Sequence, residues 1–206
     1  MSQFLYFDMG NVLLRFSHER MAQQMARVVG ISSERVRQIL FEEGDGLHWM
    51  YESGQLNRDR FYAQFCDRAG ARADASALQQ AGNDIFELNV PIVGLLGHLV
   101  AAGYDLGVFS NTTSCHWDHC VSRFAILTNL FRVHALSFRL VAMKPDPAAY
   151  RKAAELAGVP PDRIFFTDDR EENIAGAKAA GWDAVLFQSV SQVNQELRVR
   201  GIATNY

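Results

Sequence analysis

The feature that most constrains this chain's fold is a recurring unit. A short apolar run is broken by small polar and acidic residues, and a helix-length segment follows. Phe4-Leu5-Tyr6-Phe7 gives way to Asp8-Met9-Gly10-Asn11, and Asp105-Leu106-Gly107-Val108-Phe109 to Ser110-Asn111-Thr112. Val133 to Phe138 precedes the turn Lys144-Pro145-Asp146-Pro147, and Arg163-Ile164-Phe165-Phe166 ends in Thr167-Asp168-Asp169. Asp183 to Phe187 is a last run of the same kind. Runs this short and this apolar read as strands buried on both faces. Helices are expected at Pro91 to Ala102, Ser114 to Leu130, Pro147 to Gly158, Glu172 to Ala180 and Val190 to Val199. Proline at a first turn and glycine after a last one mark several of their ends. The alternation predicts an α/β protein with a Rossmann-like parallel sheet core flanked by helices.

The alternation is interrupted once. From Ser17 to about Phe86 the pattern is helical, and no strand is expected there. Ser17 is placed to cap a helix carrying Met21, Met25, Val28 and Val29 on one face. Ser33 to Phe41, Gly46 to Tyr51, Arg58 to Ala69 and Ala75 to Phe86 read as further helices. Residues 15–86 are therefore expected to form a helical cap domain inserted after the first strand, with the α/β core made of 1–14 and 87–206. A chain of 206 residues is long enough for both.

A net charge of -3 gives no electrostatic basis for nucleic acid or an anionic membrane as partner. No apolar run approaches the roughly 20 residues that span a bilayer, and the N-terminus lacks a basic start followed by a long apolar stretch. Three cysteines make no disulfide framework. These features predict a cytoplasmic protein with a small-molecule partner.

In open parallel sheets, ligands bind beyond the carboxyl ends of the strands. There this chain places Asp8, Ser110, Asn111, Lys144, Asp168 and Asp169. Any one of them alone is more often a turn or cap residue. In order on successive strands they form a constellation of carboxylates, an ammonium, a hydroxyl and an amide. Asp8 and Asp169, with Asp168 near or as a further ligand, suit magnesium, which takes oxygen ligands and needs few carboxylates. Lys144, Ser110 and Asn111 suit the oxygens of a phosphoryl group. A carboxylate attacks a phosphate dianion poorly unless a cation offsets the repulsion, and the cluster supplies the nucleophile and the counter-charge together.

These segments resemble the motifs of the haloacid dehalogenase-like hydrolases. Phe7-Asp8-Met9-Gly10-Asn11-Val12-Leu13-Leu14 resembles the first motif, Phe109-Ser110-Asn111-Thr112 the second, and Lys144-Pro145-Asp146-Pro147 with Tyr150 the third. Phe166-Thr167-Asp168-Asp169 through Ile174, with Ala177 and Gly181, resembles the fourth. The pattern is most similar to sugar-phosphate phosphatases like α-D-glucose-1-phosphatase and to the phosphatase domain of soluble epoxide hydrolases. The resemblance implies a magnesium-dependent phosphatase acting on a small phosphate monoester, with Asp8 as nucleophile. It implies that the Gly10 carbonyl, Asp8, Asp169 and Asp168 serve the metal, and that Ser110, Asn111 and Lys144 hold the phosphoryl group.

One position departs from that family's usual pattern. Most of its phosphatases carry a second Asp two residues after the nucleophile, as acid and base, and here that position is Gly10. General acid–base catalysis is typically worth about 10²–10⁴-fold. Three expectations follow: a substrate with a good leaving group such as an anomeric sugar phosphate, a proton from the cap segment containing His48, Tyr51 and Glu52, or a phosphate-binding protein of weak activity. A metal-independent 2-haloacid dehalogenase is the alternative chemistry, which the Asp168-Asp169 pair disfavours. Cys115-His116-Trp117-Asp118-His119-Cys120 holds soft-metal ligand types, but six consecutive helical residues cannot all face one ion. His116 is instead a candidate to line the phosphate pocket. The chain has no P-loop and no glycine-rich dinucleotide fingerprint.

Overall fold

The computed structural model describes residues 4–43 and 46–204. Residues 1–3, on which the reading of the N-terminus partly rests, lie outside it. The first strand, β1 (Phe4–Phe7), is fully buried. Its alternation divides it between two cores: Leu5 and Phe7 pack on one side of the sheet, Phe4 and Tyr6 on the other. Full burial of each of its side chains contributes roughly 1.5–3 kcal/mol. A strand apolar on both faces belongs in the middle of a parallel sheet.

That is where it lies. β4 (Asp105–Ser110), β5 (Val133–Leu136), β6 (Ile164–Asp168) and β7 (Asp183–Leu186) join β1 in one sheet, in the order β5-β4-β1-β6-β7. All four pairings are parallel, with Phe7 beside Val108 on one flank and Thr167 on the other. The order reverses at β1, so the crevice beyond its end is the topological switch point. Helices α6 (Val90–Ala101), α7 (Ser114–Arg123), α10 (Pro147–Ala157), α11 (Glu171–Ala179) and α12 (Val190–Val199) flank the sheet. The predicted architecture is present.

The segment expected to form the cap holds α1 (His18–Val29), α2 (Ser33–Phe41), α3 (Leu47–Glu52), α4 (Arg58–Ala69) and α5 (Ala75–Asn83). Ser17, Ser32, Asn57 and Asp74 cap four of these helices with their side chains. Met21, Met25, Val36, Leu47, Phe61, Phe65 and Leu78 face inward, continuous with the Leu5–Phe7 side of the core.

The structure differs from the sequence reading at three places. Phe86 does not end a helix. It belongs to β3 (Phe86–Leu88), which pairs antiparallel with β2 (Leu14–Phe16). This ribbon carries the chain into and out of the cap, and Asn89 pins it through its side chain to the Val12 carbonyl at 2.8 Å. The helix expected from Ser114 to Leu130 is broken at Phe124, after which α8 (Ile126–Asn129) follows. β5 stops at Leu136, and a short helix, α9 (Ser137–Leu140), turns the chain toward Lys144.

Candidate active site

β1, β4 and β6 end together, and their terminal residues meet the Lys144 turn. The Lys144 side chain is 1% exposed, and each of its three ammonium protons has an acceptor. Nζ lies 2.7 Å from Asp8 Oδ1, 2.5 Å from Asp168 Oδ2 and 2.8 Å from the Phe109 carbonyl. It also sits 5.1 Å from the ring centroids of both Phe109 and Phe166, whose faces favour a cation. Those rings belong to an aromatic floor with Tyr6, Tyr150 and Trp182. Burial alone would push the Lys144 ammonium down, but the Asp168 and Asp8 carboxylates outweigh it and hold the group above its ordinary value.

Asn111 fixes this lysine from behind. Its carboxamide donates to the Lys144 carbonyl at 2.8 Å and accepts from the Lys144 N–H at 2.9 Å. The side chain is thus committed to the Lys144 backbone. Ser110, expected beside it, is buried and lines the cavity, with Oγ 3.3 Å from the Asn111 carbonyl.

Asp168 is fully buried and saturated with donors. Oδ2 receives Lys144, Oδ1 receives the Arg170 N–H at 2.9 Å, and the Asn173 carboxamide reaches both oxygens at 3.0 Å. Asp169 is half-buried, and its Oδ2 accepts from Asn11 Nδ2 at 2.8 Å. Asn11 has φ of 54°, a left-handed conformation that asparagine tolerates better than most residues. The four predicted strand ends therefore converge. One oxygen each of Asp8, Asp168 and Asp169 lie within 4.8 Å of one another.

Charge makes this cluster incomplete. Three carboxylates meet here with one buried ammonium, which contacts Asp8 and Asp168, so with all three ionised two negative charges lack a partner cation. Burial pushes the Asp8 carboxyl up to about 7; Lys144 pulls it down, while Asp168 and Asp169 add to the rise. A hard divalent cation among these oxygens would supply the missing charge, and the oxygen donor set fits magnesium.

A cavity of about 160 Å³ opens above Asp8. Gly10, Asn11, Ser110, Thr112, Lys144 and Asp169 line its core side. Phe16, His18, His48, Glu52, Phe86 and His116 line it as well. Gly10 has no room for a side chain: a Cβ there would stand 2.8 Å from the Phe16 ring, which packs against His18 and Phe86. Of the three cap candidates, His48 and Glu52 reach the cavity. Tyr51 points elsewhere, with its hydroxyl 2.8 Å from Ser114 Oγ and 2.9 Å from Cys115 Sγ. In the Cys115–Cys120 segment, His116 lines the cavity and Cys115 serves Tyr51, so these two side chains face different partners.

Sequence reasoning missed Asn11, Asn173, Thr112 and His18. Asn11 and Thr112 stand inside motifs already singled out, and Asn173 is one turn into the helix after Asp168. Thr112 Oγ1 is buried without a hydrogen-bond partner among the described residues. His18 carries no local signal, because only the folding of the cap brings it to the cavity.

This fold and strand-end cluster define a hydrolase of known type. The model of the haloacid dehalogenase-like hydrolases matches residues 5–181, and the chain belongs to that family. It is 33% identical over 90 residues to a phosphatase of Mycobacterium tuberculosis, the matched part covering 44% of this chain and 42% of that protein. The chain thus spans less than half the length of this curated relative. Among solved structures it is similar to a haloacid dehalogenase family enzyme of Bacteroides thetaiotaomicron, in complex with magnesium and inorganic phosphate. The TM-score is 0.80 and the identity 22%, covering 91% of this chain and 95% of that one. An L-2-haloacid dehalogenase of Xanthobacter autotrophicus shares the fold at TM-score 0.65 and 19% identity, over 98% of this chain and 85% of that one. No helix among the described residues is long and apolar enough to cross a membrane.

Proposed function

We propose that this hydrolase is a magnesium-dependent phosphatase that cleaves a small phosphate monoester through an aspartyl-phosphate on Asp8. The observation that carries the reading is the charge imbalance at the strand ends: three carboxylates against the single ammonium of Lys144. A 2-haloacid carries no dianion and gives such a cluster no purpose. Asp8, the Gly10 carbonyl and Asp169 would hold the metal, with Asp168 behind them positioning Lys144. When bound, magnesium shields the phosphate from the attacking carboxylate and orients it.

The chain's own groups do the rest. An Asp8 carboxylate oxygen bonds to phosphorus as the ester P–O bond breaks, and the leaving oxygen takes up a proton as the alcohol departs. Water then attacks phosphorus, the P–O bond to Asp8 breaks, and inorganic phosphate is released. Lys144 and the Ser110 hydroxyl neutralise and hold the phosphoryl oxygens, while Asn111 keeps Lys144 in place. The small cavity suits a small leaving group, such as a sugar. Residues 15–86 act as the cap that closes over it, and 1–14 with 87–206 as the core. The three free cysteines suit a reducing compartment such as the cytoplasm.

The test is a panel of phosphate esters with magnesium, repeated with a chelator, alongside halide release from 2-haloacids. The expected result is phosphate release that the chelator abolishes. Halide release undiminished by the chelator would replace this reading with the dehalogenase one. Tight metal and phosphate binding without turnover of any ester would make the chain a binding protein.

A further inference from the structure

The first motif supplies no acid, and the structure places other titratable side chains on the same cavity. Gly10 carries no acid, and a Cβ there would stand 2.8 Å from the Phe16 ring. The cavity that holds Asp8 is also lined by a cluster of titratable side chains drawn from three helices: His18 of α1, His48 and Glu52 of α3, and His116 of α7. The His48 ring centroid lies 5.3 Å from that of His18 and 5.5 Å from that of His116. His48 is 6% exposed, and its Nε2 lies 3.4 Å from Glu52 Oε1. This carboxylate and imidazole, one helical turn apart, form the only His–carboxylate ion pair among the described residues that lines the cavity.

The cluster is tied to the phosphate side of the site. Ser137 Oγ donates to the Glu52 carbonyl at 2.6 Å and accepts from the Thr112 N–H at 3.0 Å. The end of α3 is therefore clamped to the end of β4, which holds the pair at a fixed distance from Lys144. Such anchoring is what an acid or base working on a bound ester needs.

We propose that His48, held by Glu52, is the acid that protonates the leaving oxygen and then the base that activates water, in place of the acid missing at Gly10. This rests on the phosphatase reading above. In the first step the imidazolium gives its proton to the ester oxygen as the P–O bond breaks and the bond to Asp8 forms. In the second the neutral imidazole takes a proton from water as its oxygen bonds to phosphorus and Asp8 is released. Glu52 engages Nε2, which leaves Nδ1 to serve the ester.

The surroundings single out this imidazole. Burial, then the charge of His48, pushes His18 down to about 4; the same causes push His116 down to about 3. His116 also donates from Nε2 to the Gly82 carbonyl at 3.2 Å. Burial alone would raise the Glu52 carboxyl, but its interaction with His48 outweighs this and holds it below the usual range. From α2, the group packed on His48 is the uncharged Phe41 ring at 5.3 Å. Asp8, Lys144, Asp169 and Arg170 line the same cavity.

The test compares an alkyl phosphate with 4-nitrophenyl phosphate, whose leaving group needs no proton. His48→Asn is expected to slow the alkyl ester by about 10²–10⁴-fold in kcat, and the aryl ester by less than tenfold. It should also remove the basic limb of the alkyl pH–rate profile. Glu52→Gln should give the same selectivity with a smaller loss, and it serves if His48→Asn does not fold. Nitrogen NMR of the metal-free wild type should find His18 and His116 neutral at neutral pH. Equal slowing of both esters, with an unchanged pH profile, overturns the proposal while leaving the phosphatase reading in place. A wild type that hydrolyses neither ester with magnesium overturns both.

Discussion

Replacing Lys144 by methionine removes the ammonium and keeps most of the side-chain volume. It leaves Asp8 and Asp168, both buried, facing each other with oxygens within 4.8 Å. Two unit charges at that distance repel by about 3.5 kcal/mol at an effective dielectric of about 20. Breaking a buried ion pair by removing one partner typically costs about 3–5 kcal/mol, so two routes give the same size. The assay is urea denaturation of metal-free protein at pH 8 and pH 5. The Lys144→Met deficit is expected to be about 3–5 kcal/mol at pH 8 and smaller at pH 5. The sign follows from Asp8, whose carboxyl is raised from 3.8 to about 7 by burial, against the pull of Lys144. A carboxyl raised on folding favours the folded state at low pH and loses that contribution as pH rises through its folded value. Lys144→Met raises it further, so the deficit grows with pH. Adding Asp168→Asn should recover part of the loss, because the two residues are coupled. A Lys144→Met protein within 1 kcal/mol of wild type at pH 8, or losses that simply add, would refute the account of Lys144 as the buried counter-charge.

Other consequences concern neighbouring residues. Asn11→Gly keeps the left-handed backbone open but removes the contact to Asp169, so magnesium affinity measured by calorimetry should fall about 10–100-fold. His116 is buried and pushed from 6.5 down to about 3, so its contribution is present above pH 6.5 and is lost as pH falls. Between pH 6.5 and pH 5 this loss is roughly 2 kcal/mol, and His116→Leu should flatten that part of the stability profile. Gly10→Ala should cost about 1–3 kcal/mol in thermal denaturation through its contact with the Phe16 ring, and much less in a Phe16→Leu background.

The core and its strand ends were legible because each signal is local. Four buried residues followed by Asp8 announce both a central strand and the residue at its mouth, and the same holds for Phe165-Phe166 before Asp168. The β2–β3 ribbon was not legible. Its strands are three residues long and their partners lie 70 to 74 positions apart, so neither carries a periodic pattern of its own. The roles of Asn111 and Asn173 were equally hidden. An asparagine at a strand end offers an amide, and only the fold decides whether that amide meets a ligand or holds a lysine and an aspartate in place. His18 and His48 are 30 residues apart and meet only when α1 packs near α3.

The central claim is that Asp8 attacks phosphorus. Rapid acid quench of the magnesium-loaded enzyme during turnover of a labelled phosphate ester, followed by peptide mass analysis, tests it directly. A phosphoryl group on the peptide containing Asp8, absent in Asp8→Asn together with turnover, is the predicted result. Full turnover by Asp8→Asn, or a label on another residue, would contradict it.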